Sequence, residues 1–93
     1  LTNVKVYPNP YKPATAYDGK LKIINLPASC TVKLYTVMGE LVKTIRETEF
    51  GNQGWVTWAG KNESNELVAD GVYIYQIEDL AGNKKTGKLG IIR

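Results

Sequence analysis

Asp70-Gly71-Val72-Tyr73-Ile74-Tyr75-Gln76-Ile77-Glu78-Asp79 is the stretch that decides the fold. Tyr73, Tyr75 and Ile77 recur at every second residue, the period of a strand with one covered face. Aromatic and β-branched side chains dominate it, and both suit a pleated, half-buried surface. Gly71 stands at its head and Tyr73 two positions later. A Tyr placed just after a Gly-containing corner, near the start of the penultimate strand, marks Greek-key sandwiches. Its ring enters the core and its hydroxyl bonds back to upstream backbone. Residues 71–79 are therefore expected as the sixth of seven strands, with Tyr73 as that corner.

Outward from this strand, apolar runs alternate with turn signals every 8–14 residues or so, the pattern of a sandwich or barrel. Downstream, Gly82-Asn83 makes a hairpin turn and residues 84–92 form the seventh strand. Upstream, residues 55–58 form the fifth, with Val56 and Trp58 facing the core and Trp55 and Thr57 facing away. Residues 60–66 are a polar loop, in which Asn62 and Asn65 suit turn positions. Residues 31–37 and 41–47 are the third and fourth strands. They are joined at Gly39, where a tight turn calls for positive φ. The second strand covers residues 20–26 and stops at Pro27; the first covers residues 4–7. Pro8, Pro10 and Pro13 then hold an extended segment that cannot be a central strand or a helix. No segment of ten residues shows helical periodicity with caps. The expected fold is an all-β, seven-stranded, immunoglobulin-like Greek-key sandwich.

Ninety-three residues make a single domain, too small for two cores and with little interior left over for a catalytic cleft. The net charge of +3 comes from twelve Lys and Arg against nine Asp and Glu, mostly scattered. Nucleic-acid binders concentrate their charge on one face, so that class is not expected. The one cysteine, Cys30, has no histidine anywhere in the chain to activate it and reads as a small structural residue at a strand edge. No apolar run is long enough to span a bilayer as a helix. The chain starts on Leu1 rather than Met, and is expected to be the C-terminal domain, residues 1–93, of a larger protein.

Four segments together resemble one family. They are Val6-Tyr7-Pro8-Asn9-Pro10, Leu34-Tyr35-Thr36-Val37-Met38-Gly39-Glu40-Leu41-Val42, Trp58-Ala59-Gly60-Lys61-Asn62 and Gly71-Val72-Tyr73-Ile74-Tyr75. In this order and spacing they are similar to the Ig-like domain named after the flagellar hook-capping protein FlgD. That family is akin to the C-terminal sorting domains of the type IX secretion system. The closing Lys88-Leu89-Gly90-Ile91-Ile92-Arg93 resembles the last strand of such domains. The resemblance implies a C-terminal accessory module of a secreted or surface protein, read by export machinery, or a structural module of an assembly scaffold. The chain departs from the family at Ala59, where an Asp is usual, and at Asn65, where a Gly is common.

Enzyme chemistry is not expected. Without histidine, acid–base work falls to carboxylates or lysines. Glu47 and Glu49 sit two apart, the spacing of one strand face, and read as a solvated face, not a pair flanking a groove. Asn62, Glu63, Asn65, Glu66 and Asp70 offer oxygen ligands in one loop, but not at EF-hand spacing, and the loop reads as a plain turn. No cofactor or metal is assigned. The site expected to matter is a protein-binding surface on the edge strand and terminal hairpin. Lys84, Lys85, Lys88 and Arg93 are its exposed basic residues, and Gly39, Trp58, Gly71 and Tyr73 fix the shape presented. The alternative is a carbohydrate-binding accessory domain of a secreted hydrolase, using exposed rings among Tyr7, Tyr11, Tyr17, Tyr35 and Trp55. Lys5 and Asn83 are conceivable partners of an intramolecular Lys–Asn bond in an apolar setting.

Overall fold

In a computed structural model of the chain, residues 3–14, 18–51 and 53–93 are described, apart from the side chains of Glu49 and Phe50. The seven strands are β1 Lys5–Tyr7, β2 Leu21–Ile24, β3 Thr31–Thr36, β4 Leu41–Arg46, β5 Val56–Trp58, β6 Gly71–Glu78 and β7 Lys84–Ile91. They form two antiparallel sheets, β1-β2-β5 and β4-β3-β6-β7. The seven-stranded Ig-like sandwich is thus the fold, with every expected strand within a few residues of its place. β2 is shorter than expected. Asn25 has φ of 60°, a left-handed conformation outside the strand region, so the ladder ends before Pro27 is reached.

Alternation decides which side chains meet between the sheets. Leu21 and Ile23 of β2, Val56 and Trp58 of β5, Val32 and Leu34 of β3, and Tyr73 and Ile77 of β6 are all buried. Leu89 and Ile91 of β7 complete that layer. Cys30 stands at the entry to β3 and is buried. Burial first, and the nearby Glu47 charge second, push its thiol up to about 11. The side of Trp58 expected to face inward does so, while Trp55 remains 43% exposed.

Two expectations need correction. Glu47 is not on a solvated strand face. The chain leaves β4 at Arg46 and makes a 3₁₀ turn, Glu47–Phe50, which carries the Glu47 side chain fully inside. There its Oε1 accepts the Ser29 N–H at 3.2 Å and its Oε2 the Gly54 N–H at 2.8 Å. It ties the β2–β3 connection to the loop before β5. Tyr11 is not an exposed ring either. It is wholly buried, 6.1 Å centroid to centroid from Trp58, and its hydroxyl donates to the Gly19 carbonyl at 2.6 Å.

Candidate interaction surface

β7 lies at the rim of the four-stranded sheet, and the four basic residues assigned to it do not form one patch. Side chains at 84, 86 and 88 share one face of the strand, and those at 85, 87, 89 and 91 the other. Leu89 and Ile91 are buried, so Lys85 is on the inner face, at the end of the core. Its Nζ donates to the Val4 carbonyl at 3.0 Å, fastening β7 to the start of β1. The Arg93 guanidinium donates to the Val68 carbonyl. Lys84 and Lys88 share the outward face and are exposed. The structure therefore separates two solvent-facing lysines from two cations that already hold backbone.

The edge itself is only half open. After β1 the segment Pro8-Asn9-Pro10-Tyr11 crosses from the three-stranded sheet to the outer side of β7. Asn9 Nδ2 donates to the Lys88 carbonyl at 2.9 Å, and Asn9 Oδ1 accepts the Gly90 N–H at 3.2 Å. The Tyr11 N–H donates to the Gly90 carbonyl and the Ile92 N–H to the Tyr11 carbonyl, at 2.7 and 2.9 Å. This covers the second half of the edge, a common protection against stray strand pairing. The segment at residues 9–11 does not cover residues 84–87 of this edge. Proline content marks the segment as extended, but no local signal in the sequence says which strand it lies against.

The Tyr73 hydroxyl donates to the Ala69 carbonyl at 2.6 Å, closing the corner, and Gly71 before it has φ of 153°. Gly39 has φ of 89° in the β3–β4 turn, with its N–H on the Thr36 carbonyl at 2.9 Å. Trp58 Nε1 donates to the Lys61 carbonyl at 2.8 Å. Asn65 takes φ of 62°, as a residue standing in for Gly must. With Ala59 unable to brace the following loop, Asn62 does so, its Oδ1 accepting the N–H groups of Ser64 and Glu66 at 2.9 and 3.0 Å.

The aromatic set considered for glycans is dispersed. Tyr11 is in the core, Tyr35 is half-buried, and Tyr17 lies outside the described residues. Tyr7 and Trp55 are each 43% exposed, on the outer face of the three-stranded sheet. Among the described residues no group of three or more acidic or cysteine side chains is placed to hold a metal ion. Lys5 and Asn83 are both exposed, with the Asn83 amide donating to Asp79 Oδ2 at 2.9 Å, so the apolar setting of a Lys–Asn bond is missing. No helix among the described residues is long and apolar enough to cross a membrane.

Comparison with solved structures adds a functional context. Over 100% of its length the chain superposes on PorZ of Porphyromonas gingivalis, with a TM-score of 0.80 and 30% identity. The chain is similar to a part of PorZ. It spans 12% of that protein, which is described as an essential bacterial surface component of the type-IX secretion system. A second similar structure is dimeric latent PorU of the same organism, with a TM-score of 0.65 and 15% identity over 96% of this chain and 9% of PorU. At that identity PorU speaks for the fold alone. FlgD of P. aeruginosa is 26% identical over 72% of this chain and 55% of its own, but its TM-score of 0.46 does not establish a shared fold. No protein-family model matches the chain, and no curated protein matches it.

Proposed function

We propose that this chain is a non-catalytic sorting or structural interaction module, a C-terminal domain of a secreted or cell-surface bacterial protein. The observation that carries this reading is the full-length superposition on a part of PorZ, at 30% identity and a TM-score of 0.80. The partner is a protein of a secretion or surface-anchoring machinery, and the contact is made by the open half of the β7 edge with Lys84 and Lys88. Electrostatic complementarity at such exposed lysines steers encounter more than it adds affinity.

The test is a reporter fused to residues 1–93 in a type IX-competent bacterium. Deleting residues 88–93 is uninformative, because it removes Leu89 and Ile91 from the core. The paired charge reversal Lys84→Glu with Lys88→Glu leaves the core intact. The wild-type fusion is expected at the cell surface or in the medium, and the reversed variant is expected to stay in the cell. Equal export of both removes the role given to the two lysines, and a wild-type fusion that is never exported removes the sorting reading.

A further inference from the structure

The pole of the sandwich at which β3 ends and β6 begins is unlike the rest of the surface. It is framed by residues 36–41, the β3–β4 turn, and residues 62–73, the loop leading into β6. Met38, at the tip, is 83% exposed, and Val37, Leu41, Leu67 and Val72 are each more than half exposed. A hollow of about 420 Å³ lies between the two segments; Leu41, Leu67 and Tyr73 form one part of its walls, and Glu40, Asn62, Glu63 and Ser64 another. A second, almost wholly apolar hollow of about 170 Å³ between Pro13, Ala14, Gly60 and Ile91, bordered by Arg93, shares Leu67 and Val68 with the first. Leu67 is therefore the ridge between a mixed hollow and an apolar one, and with Val37, Met38, Leu41 and Val72 it makes an exposed apolar strip. Small soluble domains rarely expose such a strip without a use for it.

The charge around the strip is as uneven as its polarity. The two framing segments hold Glu40, Glu63, Glu66 and Asp70, four of the nine carboxylates, and no Lys or Arg of their own; Arg93 reaches in from the C-terminal end, its guanidinium held by the Val68 carbonyl at the second hollow. Lys43 reaches Glu63 at 3.2 Å, which leaves Glu40, Glu66 and Asp70 in no ion pair among the described residues. Carboxylates around an apolar strip repel a phosphate-bearing bilayer and favour a cationic partner. The β1 end of the chain, with Val4 held by Lys85, is at the opposite pole and does not cover the strip.

We infer that this pole, with Leu67 at its centre, Glu40 in its wall and Glu66 and Asp70 on the loop that frames it, is a docking groove for a protein segment of interleaved aliphatic and Lys/Arg residues. Aliphatic side chains enter the two hollows beside Leu67 and the cations meet the rim. The flexible Met38 adapts to the segment's shape. The inference rests on the reading of the chain as an interaction module, but places a second contact far from Lys84, which lies at the other end of β6–β7.

The probe is a synthetic peptide alternating Lys and Leu, with a Glu–Leu peptide as control, titrated into the ¹⁵N-labelled protein. The Lys–Leu peptide is expected to shift the amides of residues 36–41 and 62–69 saturably, and the Glu–Leu peptide to leave them unmoved. Leu67→Ser and Glu40→Lys, both at exposed positions, are each expected to weaken binding about tenfold, the equivalent of roughly 1.4 kcal/mol. Raising the salt is expected to weaken it too. Lys84→Glu, decisive in the export assay, is expected to leave peptide affinity within about twofold, so the two readings fail separately. Three outcomes overturn the groove: no shift up to millimolar peptide, shifts mapping elsewhere, or affinity indifferent to both groove variants. Concentration-dependent shifts of the same amides without peptide also overturn it, in favour of a second copy of the chain.

Discussion

Tyr73 spends one hydrogen bond on the carbonyl of Ala69, and that bond closes the corner through which the 60–70 connection enters β6. Replacing it with Phe keeps the ring in the core and strands the carbonyl. Tyr73→Phe is expected to lower unfolding stability by about 1–2 kcal/mol in urea titration, with an unchanged slope. Glu47 carries more, because two part-buried backbone N–H groups depend on one carboxylate. Glu47→Ala is expected to cost about 2–4 kcal/mol by the same measurement, more than Tyr73→Phe. These two residues differ in how visible they are beforehand. Tyr73 belongs to a motif with fixed offsets from Gly71, whereas Glu47 is one of two carboxylates spaced like a strand face. Only the 3₁₀ turn after Arg46 shows that Glu47 has left the sheet.

Among the elements, β6 and β7 make the longest pairing, from Gly71 opposite Ile91 to Glu78 opposite Lys84. In its middle Gly87 faces Tyr75, and a Cβ on Gly87 falls 2.3 Å from the tyrosine ring. The ring therefore lies over a position that only glycine leaves open. Gly87→Ala is expected to push Tyr75 off its packing and cost about 1–3 kcal/mol, as overpacking does; loss of the tyrosine near-UV dichroism accompanies the fall in urea midpoint. At the hairpin tip, the Asn83 amide, with the N–H groups of Asn83 and Ala81, holds the Asp79 carboxyl below the usual aspartate range. A carboxylate so depressed stabilises the fold above its unfolded value and stops doing so as pH falls through its folded value. Below about pH 4, Asp79→Asn is therefore expected to lose less stability per unit of pH than the parent protein, and acid titrations of unfolding midpoint compare the two.

For the whole molecule, the two sheets close over a core whose innermost thiol, Cys30, reports any opening. Burial raises its pKa to about 11, so this group stabilises the fold below its unfolded value of about 9 and ceases to do so as pH rises towards 11. At pH 8 a disulfide exchange reagent is expected to react with Cys30 far more slowly in the folded protein than in urea. A burst at the rate of a free thiol under native conditions contradicts the burial. The surfaces proposed above for contact with partners are half of one edge, the outer face with Lys84 and Lys88, and the pole around Leu67.

Much of this was legible from local patterns, because strand periodicity, turn glycines and the Tyr73 corner are set by neighbours in the chain. Residues 71–79 alone specify a sandwich strand, and the alternation of Val56 and Trp58 against Trp55 and Thr57 names the buried face correctly. Partners far apart in sequence were not legible. Asn9 meets Lys88 and Gly90, Lys85 meets Val4, and Arg93 meets Val68 only after two sheets have stacked. The sequence by itself determined the strands and the face each buries, since both follow from a period of two. Tertiary structure alone decided which lysines are free, which edge is covered and which apolar residues are left at one pole, since each depends on long-range pairing that no local pattern encodes.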